Sequence, residues 1–265
     1  MNRDDAIIEI KNLSKKFGGL IALDKINFSI QKQTILGLIG PNGAGKTTLF
    51  NCIAGIEKPS SGKILFATSG KMHSIGGKKP EKITALGIAR TFQNIRLFDN
   101  LTVLDNVKIG RHCRTRATFF GAVFHPFSQR NEEKAITDSS MDFLKFVGLS
   151  GREDEIASSL PYGDQRRLEI ARALATEPRL LMLDEPAAGM NPHESSELMQ
   201  LIYKIREKGV TILLIEHDMK VVMGVCEKVV VINYGRWLTE GDPEQVQNDP
   251  KVIEAYLGIG AVDAA

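Results

Sequence analysis

The segment Gly40-Pro41-Asn42-Gly43-Ala44-Gly45-Lys46-Thr47-Thr48 constrains the rest of the chain more than any other stretch. An apolar run, Ile35 to Ile39, leads into it, and Leu49-Phe50-Asn51-Cys52-Ile53-Ala54 continues with helical character. Strand, glycine-rich turn and helix is the setting in which G-x-x-x-x-G-K-[ST] acts as a phosphate-binding loop. The glycines permit backbone angles and a close approach that a Cβ would forbid. Successive N–H groups then surround a β-phosphate at the positive end of a helix. In such a loop Lys46 reaches the β- and γ-phosphates, and the Thr47 hydroxyl ligates Mg²⁺. A nucleotide site is therefore expected here.

A chain of 265 residues has room for one large α/β domain, or for a core with a subdomain. Hydrophobic residues at 43% supply a core, and the 25% of charged residues is ordinary for a soluble protein. The net charge of only +2 gives no reason to expect nucleic acid as a partner. Met1 to Asp5 is polar, with no apolar region of a secretory signal behind it. No apolar stretch approaches the ~18 residues of a membrane span. Cys52, Cys113 and Cys226 lack paired ligand spacing, which favours buried free thiols in a reducing compartment.

Along the chain, Ala6–Ile10 reads as a strand, and the alternation of Ile26, Phe28 and Ile30 as a second. Between them Lys15–Gly19 reads as a loop carrying Phe17, an aromatic able to stack on an adenine ring or to cap the core. Lys63–Ala67 looks like a strand, and the polar, glycine-rich 68–82 like an exposed loop without function. From Val103 to about Leu160 the pattern turns helical, which suggests an insertion between two halves of an α/β core. Within it, Phe119–Phe127 gathers four of the chain's 12 phenylalanines, either as packing or as part of a docking patch. Further on, Leu180–Leu183 and Val210–Ile215 are continuous apolar strands. Strands without alternation, separated by helices, imply a parallel sheet covered on both faces.

Four strand ends carry polar residues: the loop at 40–48, Gln93, Asp184-Glu185 and His217. In open parallel sheets ligands sit beyond the carboxyl ends of the strands. A carboxylate at the tip of an apolar strand needs a partner, and Mg²⁺ on the phosphates is one for Asp184. Glu185 faces another way and is free to orient or deprotonate an attacking water. His217 suits a γ-phosphate contact. Gln93 can reach Mg²⁺ or that water, and it stands where the helical insertion begins.

The run Leu160-Pro161-Tyr162-Gly163-Asp164-Gln165-Arg166-Arg167-Leu168-Glu169-Ile170-Ala171-Arg172-Ala173-Leu174, followed by Leu183-Asp184-Glu185-Pro186, resembles the signature and Walker B segments of ATP-binding-cassette ATPases. The likeness extends from Phe17 to about Leu257. It implies an α/β P-loop NTPase core with a mainly parallel sheet, an N-terminal antiparallel β subdomain and an inserted α-helical subdomain. The core would span 1–93 and 161–245, the helical subdomain 94–160, and a C-terminal helix and tail 246–265. It also implies that Phe17 stacks on adenine, that Gln93 is the Q-loop glutamine and that Glu185 is the catalytic base. By the same likeness Asp184 binds Mg²⁺ and His217 is the switch histidine. Tyr162, Gly163 and Asp164 would meet the ATP of a second subunit in a head-to-tail dimer.

Within the family, Arg90–Phe98, Ala187–Pro192 and Ile215–Lys220 are most similar to the branched-chain amino-acid importers. That likeness implies transmembrane permease subunits, a second ATPase subunit of the same or a sibling kind, and an extracytoplasmic substrate-binding protein. The protein would then sit on the cytoplasmic face of the membrane, with no nucleic-acid partner. Urea or amide uptake, lipopolysaccharide export and a cassette ATPase without a transporter stand as alternatives. Two positions depart from the commoner family pattern: Pro161 replaces the signature serine, and Asn191 the D-loop aspartate.

Overall fold

A computed structural model describes residues 5–113 and 126–257, with side chains in the second stretch from 132 to 256. Along the chain come β1 (Ala6–Phe17), β2 (Leu20–Gln31), β3 (Ile35–Ile39), α1 (Lys46–Ile53), β4 (Ser61–Thr68) and β5 (Lys71–Ser74). Then follow α2 (Pro80–Leu86), β6 (Ile88–Arg90), α3 (Val103–His112), α4 (Pro126–Val147), α5 (Tyr162–Leu174) and β7 (Leu180–Asp184). The chain continues with α6 (Pro192–Glu207), β8 (Thr211–Ile215), α7 (Met219–Val225), β9 (Lys228–Asn233), β10 (Arg236–Gly241), α8 (Pro243–Gln247) and α9 (Pro250–Leu257). These elements divide into two compact units, Met1–Ile88 with Arg179–Ala265, and Ala89–Pro178.

In the first unit one sheet is antiparallel, in the order β2-β1-β4-β5. The strand β1 runs on through Phe17, so the turn is Gly18-Gly19 alone and Lys15–Phe17 is not loop. The stretch read as a loop from 68 holds a hairpin instead. Ser69 and Gly70 both have positive φ (50° and 75°), as a two-residue hairpin turn requires. The strand β5 after it is mostly exposed, so no apolar alternation marked it. Pro80 then starts α2 from the first helical position, where its missing N–H costs nothing.

The second sheet has the order β10-β9-β3-β8-β7-β6. Strands β9, β3, β8 and β7 are parallel, and β10 closes one edge antiparallel to β9. All residues of β3, β7 and β8 are buried, which is why they read as unbroken apolar runs. The helix α1 lies in the core shared by the two sheets. Its Leu49, Phe50, Cys52 and Ile53 join Ile8, Leu13 and Phe66 of the first sheet and Leu38, Met182 and Val230 of the second. Each such side chain contributes about 1.5–3 kcal/mol by leaving water. Gly235 ties this unit further: its N–H donates to Ala44 O (2.9 Å) and its carbonyl accepts from Asp24 N (2.7 Å).

The chain leaves the first unit after Ile88 and returns at Arg179. The Gly87 carbonyl accepts from both Arg179 N (2.8 Å) and Leu180 N (3.1 Å), so exit and re-entry are joined side by side.

In the second unit α3, α4 and α5 pack on one another. Thr102 caps α3 by accepting from Asp105 N at 3.0 Å. The phenylalanine-rich run at 119–127 lies outside the residues whose side chains are described. Cys52 and Cys226 are buried, as their apolar surroundings imply, but Cys113 at the end of α3 is exposed. It follows the amphipathic part of that helix, so helical spacing does not bury it.

Candidate functional site

Parallel register lines up the key residues of the first unit. Leu38 stands opposite Ile215, and Ile215 opposite Asp184. The loop at 40–48, His217 and the Asp184-Glu185 pair therefore all leave one edge of the sheet. With strands ~4.8 Å apart, Asp184 and Leu38 are separated by about 10 Å across β8.

The loop needs its glycines for measurable reasons. A Cβ at Gly40 (φ 154°) would lie 2.1 Å from Ile232 O, and one at Gly45 (φ 101°) 2.6 Å from Ala22 O. Gly43, Asn42 and Thr47 are exposed, while Ala44 packs inward and Pro41 and Thr48 are half-buried. The first turn of α1 contains no acidic residue, so its positive end faces the loop undiminished. Lys46 is buried, and its Nζ donates to the carbonyls of Gly40 and Pro41. Burial pushes its pKa down, and the carboxylates of Glu185 and then Asp184 oppose that shift. The lysine and both acids thus share one electrostatic environment.

Asp184 is 4% exposed at the tip of β7. Glu185 continues the ladder by one bond, N–H to Ile215 O at 2.9 Å, and then turns away in the left-handed region at φ 47°. That conformation costs a non-glycine residue about 1 kcal/mol. His217 Nδ1 lies 3.6 Å from Glu185 Oε2, and the histidine is largely exposed.

Two residues that the sequence reading did not single out hold this edge in place. Glu216 is buried; Oε1 accepts from Ala187 N (3.0 Å) and Oε2 from His217 N (3.2 Å). Burial pushes its carboxyl pKa up, while the Ala187 and His217 amides pull the other way. Tyr256, on α9, accepts through its hydroxyl from Gly40 N at 2.9 Å. Polarity next to His217 was the only sequence signal for Glu216, and nothing local marked Tyr256.

Asn191 caps α6 in a reciprocal box with Glu194: Asn191 Oδ1 accepts from Glu194 N (3.0 Å), and Glu194 Oε2 from Asn191 N (2.9 Å). Asparagine caps a helix about as well as aspartate does, so this departure leaves the helix start intact. Phe17 is half-exposed, with Lys15 Nζ 4.5 Å from its ring centroid. Lys15 is itself fixed by Glu57 (2.7 Å) and Lys58 O (3.0 Å).

The remaining expected site residues belong to the second unit. Gln93 is exposed, and its carbonyl accepts from Arg166 Nη2 at 2.8 Å. Tyr162, Gly163 and Asp164 form the first turn of α5 behind Pro161, which offers no side-chain cap. Tyr162 is exposed and Gly163 buried; the Asp164 carboxylate takes Arg152 Nη1 at 2.5 Å and has Arg167 3.5 Å away.

Among the described residues there is no cluster of three or more His, Cys, Asp or Glu able to hold a metal by itself. Mg²⁺ is usually bound through one or two protein groups with substrate phosphates and water. The exposed Thr47 hydroxyl and the Asp184 carboxylate fit that pattern. Among the described residues, too, no helix is long and apolar enough to cross a membrane.

A family profile described as ABC transporter matches residues 23–188, and one described as branched-chain amino acid ATP-binding cassette transporter matches 238–262. The chain is 44% identical, over 95% of its length and 98% of the relative's, to the high-affinity branched-chain amino acid transport ATP-binding protein LivG of Escherichia coli (strain K12). The same figures hold for BraF of Pseudomonas aeruginosa, which bears the same description. Among solved structures, the ADP conformation of MJ1267, an ATP-binding cassette of an ABC transporter, superposes with a TM-score of 0.82 at 33% identity. That alignment covers 96% of this chain and 99% of MJ1267. A dimeric post-hydrolysis state of the cassette MJ0796, bound to ADP and Pi, gives 0.72 at 25% identity, covering 89% and 98%.

Proposed function

This chain belongs to the ABC transporter family, and from that premise we propose that it powers an importer of branched-chain or other hydrophobic amino acids. It is an ATP-binding cassette ATPase in sequence and in fold. The substrate class rests on relatives that match it end to end and carry the branched-chain amino acid transport description, and on the match of its C-terminal segment, 238–262, to that same group.

Gly40 to Thr48 cradle the triphosphate, with Lys46 released from its own loop carbonyls onto the β- and γ-phosphates. The carbonyls that hold Lys46 occupy its donors as phosphate oxygens would. Thr47 and Asp184 would hold Mg²⁺, with Gln93 the further ligand that the family resemblance implies, and the ion would offset the charge of the phosphates. Glu185 takes a proton from the attacking water, and His217 beside it fixes that carboxylate and contacts the γ-phosphate. A base so placed accounts for roughly 10²–10⁴ of rate. Phe17 stacks on the adenine. Tyr162, Gly163 and Asp164 face the nucleotide of a second ATPase subunit, identical or sibling, in a head-to-tail pair. The dimeric state of the similar cassette MJ0796 supports that arrangement. Permease subunits and an extracytoplasmic substrate-binding protein complete the system, and the chain sits peripherally on the cytoplasmic face of the membrane.

The arrangement that carries the ATPase reading is Lys46 within the field of Asp184 and Glu185, with His217 against Glu185. Reconstitution of the chain with the permeases that co-purify with it tests the transport reading. ATP hydrolysis should rise when leucine-loaded binding protein is supplied. Stimulation by urea or an amide instead, with none by leucine, isoleucine or valine, overturns the substrate class.

A further inference from the structure

The second unit buries an ion pair. Arg166 and Glu169 lie one turn apart on α5 with side chains 0% and 1% exposed, and Nη1 meets Oε2 at 2.8 Å. Such a pair contributes little to stability, because desolvating two charges offsets their attraction; well-packed apolar residues do as well or better. What the pair does here is take hold of a neighbouring loop by its main chain. Phe92 N and Arg96 N both donate to Glu169 Oε1 at 3.3 Å. Arg166 returns the grip, Nη1 donating to Phe92 O (2.6 Å) and Nη2 to Gln93 O (2.8 Å). Nη2 also reaches Tyr162 Oη at 3.3 Å.

Each of these hydrogen bonds to 92–96 is to backbone, so they hold the path of the loop whatever its side chains are. A planar fork of donors suits two successive carbonyls and a carboxylate at once better than an ammonium on a flexible stem does. Apolar residues could fill the space but would leave those carbonyls and amides unpaired. The loop so held carries Gln93, and the helix that holds it begins with Tyr162-Gly163-Asp164.

We propose that Arg166 and Glu169 are positioning residues that clamp the 92–96 backbone to α5, so that Gln93 and the start of that helix move as one body. The inference rests on the functional reading above, in which Gln93 attends one nucleotide and the helix start faces the partner's. The clamp is then the rigid link by which the state of one nucleotide reaches the other. Its loss impairs turnover while leaving ATP capture by the loop at 40–48 largely intact.

Three variants of the full chain test this: Glu169→Gln, Arg166→Lys, and the apolar pair Arg166→Met/Glu169→Leu. Amide exchange at Phe92 and Arg96, ATP turnover and thermal melting are followed in each. Both single variants should speed exchange at Phe92 and Arg96 at least tenfold and lower kcat at least tenfold, with KM for ATP within twofold of the parent. The apolar pair, which leaves those carbonyls and amides unpaired, should not recover kcat, whatever its melting temperature. If kcat returns in that variant, the pair is merely structural and the proposal fails. Unchanged exchange in Glu169→Gln also overturns it, and this measurement decides the matter alone if the apolar pair does not fold. A parent chain that hydrolyses no ATP would instead sink the functional reading, and the exchange data would still report on the clamp.

Discussion

The imidazole of His217 stands 3.6 Å, Nδ1 to Oε2, from the carboxylate of Glu185. The histidine lies two residues beyond the end of one strand, and the glutamate one residue beyond the end of its parallel neighbour. Glu185 reaches this position only by adopting a positive φ, and backbone strain of this kind persists where the surroundings over-determine it.

Glu185→Gln keeps the shape and removes the base. Phosphate release should fall by about 10²–10⁴, while binding of a fluorescent ATP analogue stays within a few-fold of the parent. His217→Ala should lose turnover as well, by about tenfold or more. Hydrolysis by Glu185→Gln at the parent rate would mean that the base lies elsewhere.

Tyr256→Phe deletes the hydroxyl that accepts from Gly40 N. A lost hydrogen bond of this kind costs about 1 kcal/mol, or about 2–4 °C in melting temperature for a chain of this size. ATP should then protect the variant against melting less than it protects the parent, because the first amide of the phosphate loop is no longer held. Equal protection by ATP in both proteins would confine the tyrosine to anchoring α9.

The thiols should separate by environment. Burial pushes Cys52 up to about 11 and Cys226 up to about 12, so almost no thiolate exists at either near neutral pH, and the thiolate is the nucleophile. Iodoacetamide should therefore modify exposed Cys113 in the folded protein, and the other two only after denaturation. Peptide mapping that finds Cys52 or Cys226 alkylated as fast as Cys113 would contradict this packing.

Pro161 sets the backbone for α5 but supplies no side-chain acceptor. Pro161→Ser should add a cap worth about 1 kcal/mol and raise the melting temperature by about 2 °C, with ATP turnover changed less than about threefold. A collapse of turnover would show that the proline itself shapes the signature turn.

Glu216 gives a pH signature. Its folded carboxyl keeps a proton to higher pH than the ordinary 4.5 because it is buried. The folded state therefore binds more protons than the unfolded one above that value. Stability from this group is full below about 4.5 and declines as pH rises through the folded pKa. Glu216→Gln removes the titration, so urea midpoints of the variant should gain on those of the parent as pH rises above about 4.5. A gap between the two that stays constant with pH would refute the assignment.

Much of this was legible because it is local. The phosphate loop is contiguous, Asp184 and Glu185 end an unbroken apolar run, and the buried strands β3, β7 and β8 announce themselves by composition. What escaped was written in tertiary contacts. The edge strand β5 is too exposed to alternate, and β10 has no fully buried residue. Arg166 and Glu169 are charged by type and yet buried, bonded to the main chain of 92–96. Tyr256 meets Gly40 across 216 residues of sequence. No periodicity records such a distance.

The shared carbonyl of Gly87 has a consequence for how this chain can be rebuilt. Because one acceptor receives both Arg179 and Leu180, the two ends of the ninety or so residues between Ile88 and Arg179 lie side by side in the first unit. Closing a gap that short costs little chain entropy. A few glycines and serines in their place should leave a folded remnant holding the phosphate loop, and those two positions are natural joints for grafting one protein's insertion onto another.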